Sequence, residues 1–235
     1  MKLLVFDISG KFAHFRKYYT NSSSTTYEVI PRTTLMGILA AMLGYPRDSY
    51  YDRLNSENLN ITCKKMTETY KMFQTLNYIK GTSDTNLIKQ KEHTQIPFQV
   101  LTGKDGVKYR IYVNIKDEKV MEELIYRVKN NKFEYSPTFG TANFNTRVDY
   151  VGEFIADKIS NEEHIKLEVP VPEKYIKKLK LGGGITKEKM IKDFDKSRKA
   201  ISVVDYIISK DTEFKIEDGV DIYRIKEINE NIVFM

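Results

Sequence analysis

Residues 3–8, Leu-Leu-Val-Phe-Asp-Ile, are an almost unbroken apolar run too short for a helix, which predicts a buried strand ending at Ser9-Gly10. The period then changes. Leu35, Ile38, Leu39 and Met42 recur at helical spacing and predict a helix over 34–43, capped by Thr33 or Thr34 and stopped by Gly44 and Pro46. Strands are expected over 61–66 and 70–79. Residues 98–102 and 107–115 read as a hairpin about Gly103-Lys104-Asp105-Gly106, with Val107, Tyr109, Ile111, Val113 and Ile115 on one face. Met121, Leu124, Ile125 and Val128 predict a second helix over 118–129, capped by Asp117. A turn-rich stretch over 135–144 then leads to a strand over 147–155.

Strand, helix, strand, strand, helix, strand is the ferredoxin-like order. Within it, residues 80–95 are polar, lysine-bearing and without periodicity, and longer than a usual connection, so they read as a projecting loop or the tip of a long hairpin. Beyond 159 the pattern changes to Val169-Pro170-Val171-Pro172. A basic stretch over 174–180 and a charged stretch after Gly182-Gly183-Gly184 both read as helical, and short strands follow to Met235. The expectation is an α+β chain: a ferredoxin-like domain over 1–158 with a long hairpin or loop arm, and a smaller C-terminal region over 159–235. The three glycines lack the G-K-[ST] continuation of a phosphate-binding loop and read as a linker or stop.

Composition narrows the classes. A single cysteine, Cys63, excludes an internal disulfide and a cysteine-based zinc cluster. No apolar run approaches the roughly 18 residues of a membrane span, and the N-terminus turns acidic too soon for a signal peptide, so the expected setting is the cytoplasm. The net charge of +6 is concentrated: residues 61–116 carry 10 Lys and Arg against 4 Asp and Glu. Such a segment is the electrostatic footprint of a nucleic-acid binder, or else a solvated lysine-rich surface.

The chemistry gathers near the first strand. His14, Arg16, Lys17, Tyr18 and Tyr19 lie within six positions, with His14 and Arg16 on one side of an extended segment and Phe15 and Lys17 on the other. A hydroxyl-rich run over 20–26 follows and can lie along a phosphate backbone. Arg32, Thr33 and Thr34 stand at a helix start, where free N–H groups attract an anion, although capping alone explains the threonines. Cations, aromatics and hydroxyls together suit an unpaired nucleic-acid strand. The ribonucleoprotein signature with its aromatic triplet is missing, so stacking on an open sheet face is not expected.

This N-terminal order resembles that of the fifth CRISPR-associated (Cas) protein family, the RAMP-type subunit at the crRNA five-prime end in type I Cascade complexes, with a flavour of subtype I-B. The resemblance rests on the strand ending in Gly10, residues 12–17, and Pro31-Arg32-Thr33-Thr34-Leu35 with Gly37, Ala40, Leu43 and Gly44. A second patch is Phe139-Gly140-Thr141-Ala142-Asn143-Phe144. It implies a RAMP domain that binds the five-prime handle of crRNA, terminates the backbone-subunit filament and seats the large subunit, meeting target DNA only indirectly. It also implies RNA contact by His14, Arg16, Lys17, Tyr18, Arg32, Thr33, Thr34, Gly140 and Asn143. Lys89, Lys91 and His93 join them on an arm that crosses the RNA.

The resemblance leaves an enzymatic alternative, because one subtype cleaves its own repeat RNA. A metal-independent ribonuclease needs a base, an acid and a cation; His14 with Lys17 and Tyr18, or His93 with Lys91, are the candidate sets. The third histidine, His164, lies away from basic and aromatic groups, and the acids are not clustered as a two-metal site requires. The expectation is a binder without catalysis, cofactor or metal. A third reading is a ferredoxin-like interaction protein with no RNA role.

Overall fold

The computed structural model describes residues 1–79, 88, 93–159, 164–180 and 182–235. Strand β1 (Lys2–Gly10) lies between β5 (Val107–Ile115) and β6 (Arg147–Ile159), and β5 pairs in turn with β2 (Leu59–Lys65), all antiparallel. With helix α1 (Arg32–Leu43) after β1 and α2 (Glu118–Asn130) after β5, the order β6-β1-β5-β2 is that of a ferredoxin-like sheet. The apolar run in β1 has a physical reason. Leu4, Phe6 and Ile8 pack with the helices, while Leu3 and Val5 pack with the C-terminal region, so both faces are buried.

Helix α2 is capped as the sequence predicts: the Asp117 carboxylate accepts from the N–H groups of Lys119 and Val120. Helix α1 ends at Gly44 in the left-handed conformation, also as predicted. Its start is a correction. Pro31 is the N-cap, with no side-chain cap, and its carbonyl accepts from the N–H groups of Thr34 and Leu35. Pro31 already sets the backbone for helix entry, so neither Thr33 nor Thr34 is consumed in capping.

The expected hairpin of 98–102 with 107–115 does not form. The Gly103–Gly106 turn carries the chain out of the main sheet, and β4 (His93–Thr102) pairs instead with β3 (Tyr70–Ile79) as a separate two-stranded arm. The arm's register runs from Tyr70 opposite Thr102 to Ile79 opposite His93. Most of the 80–95 stretch, including Lys89 and Lys91, lies outside the described residues; His93, Thr94 and Gln95 belong to β4.

The C-terminal region is a second correction. The basic stretch read as helix is a short 3-10 turn, Glu173–Tyr175, followed by strand β9 (Ile176–Lys180). Strand β9 pairs with β12 (Glu213–Ile216), and β12 with β7 (Ile165–Lys166). The charged stretch after the glycines is strand β10 (Ile185–Phe194), which pairs with β11 (Ala200–Ser209) and through it with β8 (Val171–Pro172). Polar residues at inward positions conceal the strand period: Glu188 and Asp193 of β10 are buried alongside Met190. Strands β13 (Ile222–Ile225) and β14 (Glu230–Ile232) then return to the main sheet and extend it beyond β6. No helix among the described residues is long and apolar enough to cross a membrane.

Candidate nucleic-acid interface

The two sequence patches singled out above meet in space. The N–H of His14 donates to the carbonyl of Phe139 at 3.0 Å. The Phe15 and Phe139 rings pack edge to face, and the Phe12 and Phe144 rings lie 5.9 Å apart. Gly140 has a φ of +88°, and a Cβ placed there would stand 1.8 Å from the His14 carbonyl oxygen, so only glycine lets the two segments approach. Phe12, Arg16, Gly140 and Asn143 are exposed. Tyr18 and Tyr19 are also exposed, and their rings pack edge to face.

The cluster over 14–17 divides. His14 is 4% exposed, stacks on Phe98 with ring centroids 4.0 Å apart, and has both ring nitrogens engaged. Nδ1 is 2.7 Å from the Gln99 carbonyl and Nε2 is 3.0 Å from the Ser24 hydroxyl. Burial pushes its pKa below the ordinary imidazole value, against the Gln99 carbonyl and with help from the Arg16 charge. His14 and Arg16 therefore do not present a shared face as expected. Arg16 is exposed, with one long contact to the Thr20 carbonyl. Lys17 turns toward the C-terminal region, where its ammonium lies 2.7 Å from both oxygens of buried Glu188 and over the ring of Tyr27.

Arg32 is the clearest correction. Its side chain is fully buried, with Nη1 2.8 Å from Asp193 Oδ1 and Nη2 2.9 Å from the Leu59 carbonyl. A guanidinium whose two Nη groups are engaged in this way anchors α1 to β2 and β10 and is not presented to a phosphate. The hydroxyl run is likewise turned inward in part. Thr26 accepts from the Phe15 N–H and Ser24 meets His14, which leaves Asn21 and Ser22 exposed.

Thr33 and Thr34, free of capping duty, line a cleft of about 340 Å3 with Gly37 of α1, Thr138, Gly140 and Tyr50. The cleft therefore opens next to the Gly140 contact with the 14–15 backbone. Sequence reading missed Thr138 and Tyr50, which become neighbours of α1 only through the fold. The basic segment over 61–116 is also modified by folding: among the described residues, Lys64, Lys65, Lys71, Lys108 and Arg110 all face acids. Its charge surplus is thus partly neutralised by Glu28, Asp7, Glu168 and Glu230. His93 lies exposed on β4.

Comparison with known proteins bears on the family and the fold. No curated protein matches the sequence. A crystal structure of a CRISPR protein from Archaeoglobus fulgidus superposes with a TM-score of 0.61 at 14% identity, covering 100% of this chain and 99% of that one. A chain of a CRISPR RNA-guided surveillance complex gives 0.52 at 16% identity, covering 91% and 90%. A chain of a type III-B Cmr-beta complex bound to cognate target RNA gives 0.53 at 11%, covering 92% and 86%. At these identities the likeness is one of fold. The sequence family described as CRISPR-associated protein (Cas_Cas5) matches residues 3–202, most of the chain, and the protein belongs to that family.

Proposed function

We propose that the protein binds the five-prime handle of a crRNA within a CRISPR surveillance complex, ends the filament of backbone subunits there and seats the large subunit that meets target DNA. The observation that carries this reading is the meeting of the 12–17 and 139–144 segments on one face, beside a hydroxyl-lined cleft. Exposed Arg16 positions a phosphate there, while Phe12, Tyr18 and Tyr19 offer ring faces to unstacked bases. Family membership supports the reading, as does the setting of the structural relatives in RNA-guided and RNA-bound complexes. Ultraviolet cross-linking of the protein assembled with crRNA, followed by peptide mapping, tests it. Cross-links should fall within 11–22 and 138–145; cross-links confined to the exposed side of α2 would contradict it.

We read the protein as a binder without nuclease activity. Support comes from His14, whose ring is buried and doubly engaged and so is poorly placed to take a proton from a 2′-hydroxyl. Incubation with repeat RNA in the absence of metal should leave the RNA intact. A single discrete cut, lost in His93→Ala, would establish the nuclease instead.

A further inference from the structure

The cleft beside α1 receives two residues from outside the ferredoxin-like body, Phe194 at the end of β10 and Arg198. The turn joining β10 to β11 places Arg198 in the lining with Thr138, close enough to Tyr50 for its charge to act on that ring's hydroxyl. This turn is firmly held. Asp195 Oδ1 accepts from the Ser197 N–H, the Ser197 hydroxyl and the Lys199 N–H at 2.7–2.9 Å, and the Arg198 N–H donates to the Asp195 carbonyl. Arg198 itself sits at φ +63°, a left-handed conformation that costs a non-glycine residue about 1–2 kcal/mol. The surrounding structure imposes that conformation on a residue with no packing role, as it is exposed.

Its charge is also uncommitted. Nearby Lys196 pairs with Asp52 at 3.1 Å and Arg47 with Asp48 at 3.2 Å, whereas Arg198 makes no ion pair or side-chain hydrogen bond among the described residues. Asp48 is the carboxylate close enough to feel the Arg198 charge, and it is already held by Arg47 and the Tyr51 hydroxyl. The cleft's volume of about 340 Å3 is within the range of small-ligand sites, roughly 300–1,000 Å3. Its lining combines threonines, the aromatic residues Tyr50, Tyr51 and Phe194, and one free guanidinium.

We propose that this cleft is a subsite for one nucleotide of a single-stranded RNA, with Arg198 clamping a phosphate and Tyr50 lying against the sugar or base. The inference rests on the RNA-binding reading above and adds the C-terminal hairpin to the interface. A planar guanidinium grips phosphate through two N–H groups, and hydroxyls exchange hydrogen bonds with a ribose.

The test compares wild type, Arg198→Ala, Arg198→Lys and Gly37→Leu for binding of a repeat-derived single-stranded RNA across a salt series. Arg198→Ala should weaken binding about tenfold at low salt and remove about 0.7 from the log–log salt slope. Arg198→Lys should keep the slope and recover part of the affinity. Gly37→Leu fills the cleft, because even a Cβ there stands 3.3 Å from the Tyr50 hydroxyl; it should weaken binding while leaving the slope nearly unchanged. Salt-dependent binding by wild type with Arg198→Ala indistinguishable from it would overturn the subsite alone. A wild type without salt-dependent binding would overturn the RNA reading and the subsite with it.

Discussion

Arg16 and Lys17 are adjacent cations with different tasks, and substitution separates them. Arg16 is exposed and unpaired with any acid among the described residues, so Arg16→Ala should weaken RNA binding several-fold with an unchanged melting temperature. Lys17 neutralises Glu188, which is 4% exposed. Lys17→Ala strands that carboxylate and should cost about 2–4 kcal/mol of stability, toward the lower side of what broken buried pairs cost. Melting and affinity measured on both variants decide the matter; equal melting temperatures would contradict the division. His14 adds a pH dependence. An unfolded chain's imidazole titrates near about 6.5, and burial holds the folded value lower. The unfolded state therefore takes up protons first as pH falls, and the stability that neutral His14 contributes above about pH 6.5 is lost as pH drops through the folded value. Between about pH 7.5 and 5.5 wild type should lose more melting temperature than His14→Gln. Parallel losses in the two proteins would count against a buried neutral His14.

At the scale of elements, the 139–144 turn matters because it holds the 14–15 backbone in place. Gly140→Ala must either leave the left-handed region or push the His14 carbonyl aside. We expect a loss of at least about 1–2 kcal/mol together with weaker RNA binding, read by denaturant unfolding and by affinity. A variant as stable as wild type would show that the contact is dispensable. The ferredoxin-like elements were legible in the sequence because their periods match their burial: β1 is apolar on both faces, and α2 has its stripe and its Asp117 cap. Strands β9 and β10 were not. Glu188 and Asp193 occupy inward positions that a period-two pattern would fill with apolar residues, and their partners Lys17 and Arg32 lie far away in sequence. The same cause hid the role of Arg32. A motif beside a helix start reads as an anion site until Asp193 is brought against it. The arm was half legible, as its strands could be read but their pairing could not, because the turn at 103–106 suggested the wrong partner.

At the scale of the molecule, the C-terminal region is knitted into the ferredoxin-like body. Buried Met190, Tyr206 and Met235 belong to the same core as α1 and β1, and Arg32–Asp193 and Lys17–Glu188 cross between the two. Strands β13 and β14 complete the main sheet. A fragment ending at residue 158 would expose that core and leave Arg32 buried without its carboxylate. It should therefore lack a cooperative unfolding transition, and a fragment that melts like the full chain would contradict this integration. Among the described residues, Lys64, Lys65, Lys71, Lys108 and Arg110 of the basic 61–116 segment face the protein's own acids, which makes exposed Arg16 and the cleft the cationic sites to test. The salt dependence of binding to a repeat-derived single-stranded RNA therefore tests the central claim most directly. A log–log slope of about −0.7 for each phosphate engaged is expected, made shallower by Arg16→Ala. Binding that is absent, or that does not change across moderate salt, would contradict it.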